Sequence, residues 1–201
     1  MKFIFTAIVL SIGFQAAPAW ADPIVQMAFE KQTQSNWCWA ATSTATINHM
    51  RKRKKLDPTV RQCRVVTHYN KVDSDAAYCC NAGNASSSKC NQPGSMYEPI
   101  NAHGFLQKQE NGQLNDDRFN RLIDQLGKGR PVPGAVRWVG QDVGHAILVY
   151  GLGFGGFAGG QAIYIYDPTT GKQAGMQDRG ELNNYGSAFN GSWKATYYLK
   201  D

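Results

Sequence analysis

The chain has 201 residues, 42% of them hydrophobic and 18% charged, with a formal net charge of +6. That length and apolar content support one domain with its own core and exclude a disordered or collagen-like chain. The basic balance permits attraction to acidic surfaces and identifies none of them.

In chain order, Lys2 precedes a largely apolar stretch from Phe3 to Phe14, and Ala19-Trp20-Ala21 has the small-x-small pattern of a signal-peptidase site. Residues 1–21 are therefore expected to be a signal peptide, and residues 22–201 a single exported domain, periplasmic or secreted. The apolar stretch is too short for a membrane span and no later run approaches that length, so no stable membrane insertion is expected.

The stretch Gln32-Thr33-Gln34-Ser35-Asn36-Trp37-Cys38-Trp39-Ala40-Ala41 comes next, with a cysteine between two tryptophans where polar loop residues give way to helix formers. Asn36, or Ser35 beside it, is the expected N-cap of a helix running to about Arg51. Cys38 then lies in the first turn, where the positive end of the helix dipole favours a thiolate and free N–H groups can receive an oxyanion. On this pattern alone a buried structural cysteine among aromatics is an equal alternative. Arg51-Lys52-Arg53-Lys54-Lys55 opposes the negative end of the same dipole and reads as a solvated helix end. It lacks the interleaved aromatics of a nucleic-acid surface, so no nucleic-acid partner is expected. Asp57-Pro58 supplies an N-cap and first position for a second helix carrying Val60, Cys63, Val65 and Val66.

Five cysteines, Cys38, Cys63, Cys79, Cys80 and Cys90, leave one unpaired in an oxidising compartment. With Cys38 set aside, the other four cluster, and adjacent Cys79 and Cys80 do not suit a bond to each other. The frameworks are 63–79 with 80–90, or 63–80 with 79–90. Zinc is the competing use, and the absence of paired C-x-x-C hooks argues against it; no metal or other cofactor is expected. The two disulfides are expected to order a loop-rich segment over 70–97 without touching the chemistry.

After Pro99, Ile100 to Leu106 is read as a short helical piece. Asn115-Asp116-Asp117 caps a helix with Phe119, Leu122, Ile123 and Leu126 on one face, ended by Gly127. The remainder is β-branched and aromatic, with strands expected over Val132–Val139, His145–Leu152, Ala162–Tyr166 and Trp193–Leu199. Helices followed by strands give an α+β domain with a largely antiparallel sheet. Gly153 to Gly160 joins two strands and so reads as a hairpin connection, since a phosphate cradle would open a helix.

Taken as one hairpin centred on Gly156, the second and third strands place His145 opposite Asp167 at the open end. A carboxylate there holds an imidazole in tautomer and orientation. Singly, each residue reads as an ordinary strand end or turn former. Together with an unpaired exported cysteine at a helix start, they form a candidate Cys-His-Asp constellation. The rival histidines are His49, His68 and His103; His49 lies about 16 Å along the helix that Cys38 starts.

Asn36-Trp37-Cys38-Trp39-Ala40-Ala41, Gly144-His145-Ala146 and Tyr166-Asp167-Pro168 resemble the bacterial papain-like cysteine peptidases, especially the group that includes plant-pathogen avirulence effectors. The resemblance spans the mature chain in order, and Cys79-Cys80 with Cys90 also resembles secreted bacterial members. It implies a papain-like fold and hydrolysis of peptide bonds in a peptide or protein substrate through a thioester acyl-enzyme, by a monomer. It implies Cys38, His145 and Asp167 as the triad, and Gln32, six residues before the nucleophile, as an oxyanion donor, with Gln34 the fallback. The pattern departs from plant and lysosomal papains at Ser35, where a cysteine is usual, and at Asp167, where asparagine is usual. The alternatives are a binding or effector protein on the same scaffold without turnover, and an amidase acting on cell-wall stems or side chains.

Overall fold

Helices predominate in the first half of the chain and strands in the second, in an α+β arrangement. The structure is a computed structural model describing residues 23–56, 59–138, 140–141, 144–156, 160–176, 178–185 and 191–201. The expected signal peptide and the expected Asp57-Pro58 helix start lie outside those residues. The helices are α1 (Cys38–Arg53), α2 (Gln62–Tyr69), α3 (Ala82–Ala85), α4 (Tyr97–Ala102), α5 (Asp116–Gly127) and α6 (Arg179–Asn183). The strands are β1 (Leu106–Asn111), β2 (Val132–Trp138), β3 (Gly144–Gly156), β4 (Gly160–Asp167), β5 (Lys172–Met176) and β6 (Gly191–Leu199). They form one sheet in the order β1-β6-β2-β3-β4-β5, antiparallel throughout.

The core has two apolar clusters, and α1 stands between them. Ala45 joins Val132, Val136, Ile147, Ile163 and the α5 residues Leu122 and Leu126. Ala40, Ile47 and Met50 join Trp37, Val65, Val66, Ile100 and Phe105. Small side chains make this central position possible: residues 39–47 are all buried, and Thr46 returns its hydroxyl to the Thr42 carbonyl at 2.8 Å. At the other end of α1 the basic run does what a solvated helix end does. Arg53 pairs with Asp201, and Lys54 lies over the Phe105 ring at 5.7 Å.

Three local expectations are corrected. The second helix begins at Gln62, so Thr59, Val60 and Arg61 precede it; Val60 is held outside by the Asn48 side chain, which bonds both its N–H and its carbonyl. Residues 100–106 are not one helical piece. Pro99 sits inside α4, in the first turn where a missing N–H costs nothing, and Leu106 already belongs to β1. The strand β5 was not anticipated, because Lys172-Gln173-Ala174-Gly175-Met176 is an exposed edge without an apolar alternation to read. By contrast, α5 begins as expected, with the Asn115 side chain accepting from the Arg118 N–H at 3.0 Å.

Candidate active site

Cys38 is the first residue of α1 and the free cysteine of the chain; the others form Cys63–Cys80 and Cys79–Cys90. Those pairings select one of the two frameworks left open by the sequence and displace a zinc site built on the same sulfurs. The N-cap position is taken by Trp37, with no side-chain cap bond, rather than by Asn36 or Ser35. The reason lies in residue 91. Asn91 Oδ1 accepts from the Asn36 N–H at 2.9 Å, Asn36 Nδ2 donates to the Asn91 carbonyl at 2.8 Å, and Asn91 Nδ2 donates to Ser35 Oγ at 2.9 Å. The side chains that would have capped the helix are used to hold a second segment against it.

The neighbours of Asn91 complete that attachment. The Trp37 indole N–H donates to the Cys90 carbonyl at 2.9 Å, and that of Trp39 to the Gln92 carbonyl at 3.2 Å. Three consecutive residues, fixed by the buried Cys79–Cys90 bond, therefore grip the loop and both tryptophans around Cys38. Gly94 follows with its backbone against the Trp39 ring; a Cβ there would stand 2.3 Å from the indole Cε2. The Cys79–Cys90 disulfide therefore lies directly behind the segment that carries Cys38.

His145 and Asp167 do meet, through a different register from the symmetric one. Leu148 pairs with Tyr166 and Val149 with Ile165, so Asp167 falls beside Ile147, two residues from His145. Irregularities between Val149 and Gly151, and between Phe154 and Gly156, shift the pairing along β3. Because side chains alternate with period two, an offset of two keeps both groups on one face, where an offset of one would have separated them. His145 Nε2 is 2.9 Å from Asp167 Oδ1. Its other ring nitrogen is then the one left to face Cys38, which acts on the ring electrostatically.

The carboxylate is satisfied at both oxygens. Oδ1 also accepts from the Thr169 N–H at 2.8 Å, and Oδ2 accepts from the Tyr185 hydroxyl at 2.6 Å. Burial alone would raise the Asp167 pKa, but His145, Tyr185 and the Thr169 amide hold it down at about 2. Burial likewise disfavours charge on His145, whose side chain is 8% exposed, and its interactions with Asp167 and Cys38 outweigh it and push its pKa up to about 9. The rings of Trp138, His145 and Tyr185 make a triangle with centroid separations of 6.0, 6.2 and 6.5 Å and similar tilts. Sequence reasoning missed Trp138, Tyr185 and Asn91, since none carries a motif; an aromatic near a strand end was the available signal for the first alone.

Gln32 spans the two halves of the site. Its amide Nε2 donates to the Gln34 and Ser35 carbonyls at 2.9 and 2.8 Å, and its Oε1 accepts from Thr169 Oγ1 at 3.0 Å. Its N–H donates to the Pro168 carbonyl at 2.9 Å. The loop before α1 and the turn after Asp167 are thereby tied together, with neither Gln32 nor Gln34 lining the cleft. The rival histidines lie outside the cleft lining: His49 Nε2 donates to the Gly129 carbonyl at 2.9 Å, His68 packs edge-on against Tyr69, and the pKa of His103 is lowered chiefly by burial. An open cleft of about 810 Å³ runs across Cys38 and His145, lined also by Gly94, Met96, Trp138 and Tyr185. Among the described residues no cluster of His, Cys, Asp or Glu could hold a metal, and no helix is long and apolar enough to cross a membrane.

The profile of the Peptidase_C39-like family matches residues 21–201. The chain belongs to this family. No curated protein matches it. Among solved structures, the chain is similar to xylellain, a cysteine protease from Xylella fastidiosa, at 14% identity and a TM-score of 0.45, over 89% of this chain and 84% of that one. The coarse activity that goes with the family is that of a cysteine peptidase acting on peptide substrates.

In this C39-like peptidase the charged pair at His145 and Asp167 has a definite pH window. An imidazole whose folded pKa stands above the unfolded value of 6.5 stabilises the fold fully below 6.5 and loses that contribution as pH rises through about 9. A carboxyl whose folded pKa is depressed contributes above the unfolded value of 3.8 and loses its contribution as pH falls through about 2. Denaturant midpoints measured from pH 7 to 10 should therefore fall steadily and level off above about 9, and His145→Ala should flatten that fall.

Proposed function

We propose that the chain is an exported peptidase using Cys38, His145 and Asp167 as a triad. The observation that carries this reading is the His145–Asp167 pair, bonded at 2.9 Å, sharing the wall of one open cleft with Cys38. The Cys38 thiolate attacks the scissile carbonyl carbon, and the resulting oxyanion is received by the Cys38 N–H and by Gln32. Gln32 lies outside the cleft lining, so to donate there its amide must turn toward Cys38 and exchange one of its two bonds to the Gln34 and Ser35 carbonyls for the substrate oxygen. The imidazolium gives its proton to the leaving amine, which departs and leaves a thioester on Cys38. His145 then takes a proton from water, whose oxygen attacks the thioester carbon; the C–S bond breaks, the acid product leaves, and the Cys38 thiolate and His145 imidazolium are restored. Asp167 keeps the ring oriented and its charge balanced.

The signal-like start at 1–21 and the two disulfides support action outside the cytoplasm, on residues 22–201 as the mature enzyme. The likeness of the motifs to avirulence effector proteases favours folded or unfolded proteins as substrates over small amides. Incubation with reduced, carboxymethylated casein tests this. New peptide N-termini should appear with the enzyme and be absent with Cys38→Ala. Ammonia release from glutamine side chains without new N-termini would replace the peptidase by an amidase.

A further inference from the structure

The triad leaves Tyr185 without an assigned part, although it touches Asp167 more closely than His145 does. We propose that Tyr185 is a positioning residue, whose hydroxyl fixes the Asp167 carboxylate so that Oδ1 is presented to His145. This rests on the triad reading above. The division of the carboxylate is the first support: Oδ1 takes His145 and the Thr169 N–H, while Oδ2 takes the Tyr185 hydroxyl at 2.6 Å. The Asp167 side chain is only 16% exposed, so Oδ2 without that donor would be a poorly hydrated charge, free to turn away from the ring.

The second support is how firmly the tyrosine is held. Its N–H donates to the Leu182 carbonyl at 3.2 Å, just beyond α6. The start of α6 is capped by Asp178, which accepts from the Glu181 N–H at 2.8 Å. Its end is fixed by Asn183, which accepts from the Leu114 N–H at 2.8 Å and donates to the Leu114 carbonyl at 3.0 Å. The Tyr185 carbonyl closes against Gly191, where a Cβ would stand 2.0 Å from it. Burial and Asp167 also keep the hydroxyl protonated far above the ordinary tyrosine range, so it remains a donor whenever the enzyme works. A residue serving only as packing would need the ring and not the hydroxyl. The phenylalanine variant separates the two.

The test is the rate of Cys38 alkylation by iodoacetamide against pH, in wild type, Tyr185→Phe, Asp167→Ala and the double variant. At pH ~6, where a thiolate needs the imidazolium, Tyr185→Phe should react about three- to tenfold more slowly than wild type. The two should converge at pH ~10, where an unassisted cysteine thiol is ionised. In the Asp167→Ala background, Tyr185→Phe should change the rate by less than about twofold, because the partner it acts through is gone. Wild-type reactivity of Tyr185→Phe at pH ~6, equal slowing at both pH values, or an undiminished effect without Asp167 would overturn the assignment. His145→Ala distinguishes the deeper failure: if that variant reacts like wild type at pH ~6, the triad itself is wrong. If it slows while Tyr185→Phe does not, only the role of Tyr185 falls.

Discussion

His145→Ala is expected to lower peptide turnover by about 10³-fold in a protein that still folds, because in the proposed mechanism it removes the general acid, the general base and the counter-charge of the thiolate at once. Cys38→Ala should leave only background. Changes at Asp167 should cost less, in a definite order. Asp167→Asn keeps an oxygen that can accept from His145 Nε2 and the Thr169 N–H, and it turns an amide toward a Tyr185 hydroxyl that can rotate to accept. Asp167→Ala leaves the imidazole unheld and strands both other donors. Remaining activity should therefore run Asp167→Asn, then Asp167→Ala, then His145→Ala, measured as kcat/KM on one substrate. Loss of turnover in folded His68→Ala or His103→Ala, with His145→Ala active, would contradict the site.

The second large effect concerns the disulfides, which should separate into two kinds. Replacing Cys79 and Cys90 together by alanine should cost roughly 2–4 kcal/mol of stability and also slow turnover of the folded fraction about tenfold. The reason is local: the Cys90 and Gln92 carbonyls hold the indoles on either side of Cys38, and Asn91 holds Ser35 and Asn36. Replacing Cys63 and Cys80 should cost a similar roughly 2–4 kcal/mol while the folded fraction keeps its turnover, since the hydrogen bonds that hold the loop and indoles beside Cys38 come from residues 90–92. Urea titration with activity measured at matched folded fraction would distinguish them. Equal retention of turnover by both pairs would mean that residues 90–92 pack against the site without positioning it.

What the sequence made legible were features with a local chemical signature. The Asn115 cap of α5 follows from capping chemistry, and the helix that Cys38 opens and four of the six strands follow from residue type, although the cap expected for α1 at Asn36 or Ser35 is not used. The meeting of His145 with Asp167 was also legible, but for a reason the symmetric hairpin did not contain. Irregularities along β3 moved the register by two residues, and the contact survives because two is the side-chain period of a strand. The exposed edge β5 carried no apolar pattern, and Pro99 hid the first turn of α4. The long-range partners were beyond reach. Asn91 lies 55 residues from Asn36, and Tyr185 lies 18 from Asp167 with β5 and α6 between, so no local period could have paired them.

The central claim is that Cys38 is a nucleophile made reactive by His145. Mass spectrometry after treatment with an epoxide-type cysteine-peptidase inhibitor tests it most directly, since such reagents need both the thiolate and the cleft. One adduct located on Cys38, and lost in folded His145→Ala, is the expected result. An unmodified Cys38 in folded protein, or the same labelling with and without His145, would contradict it.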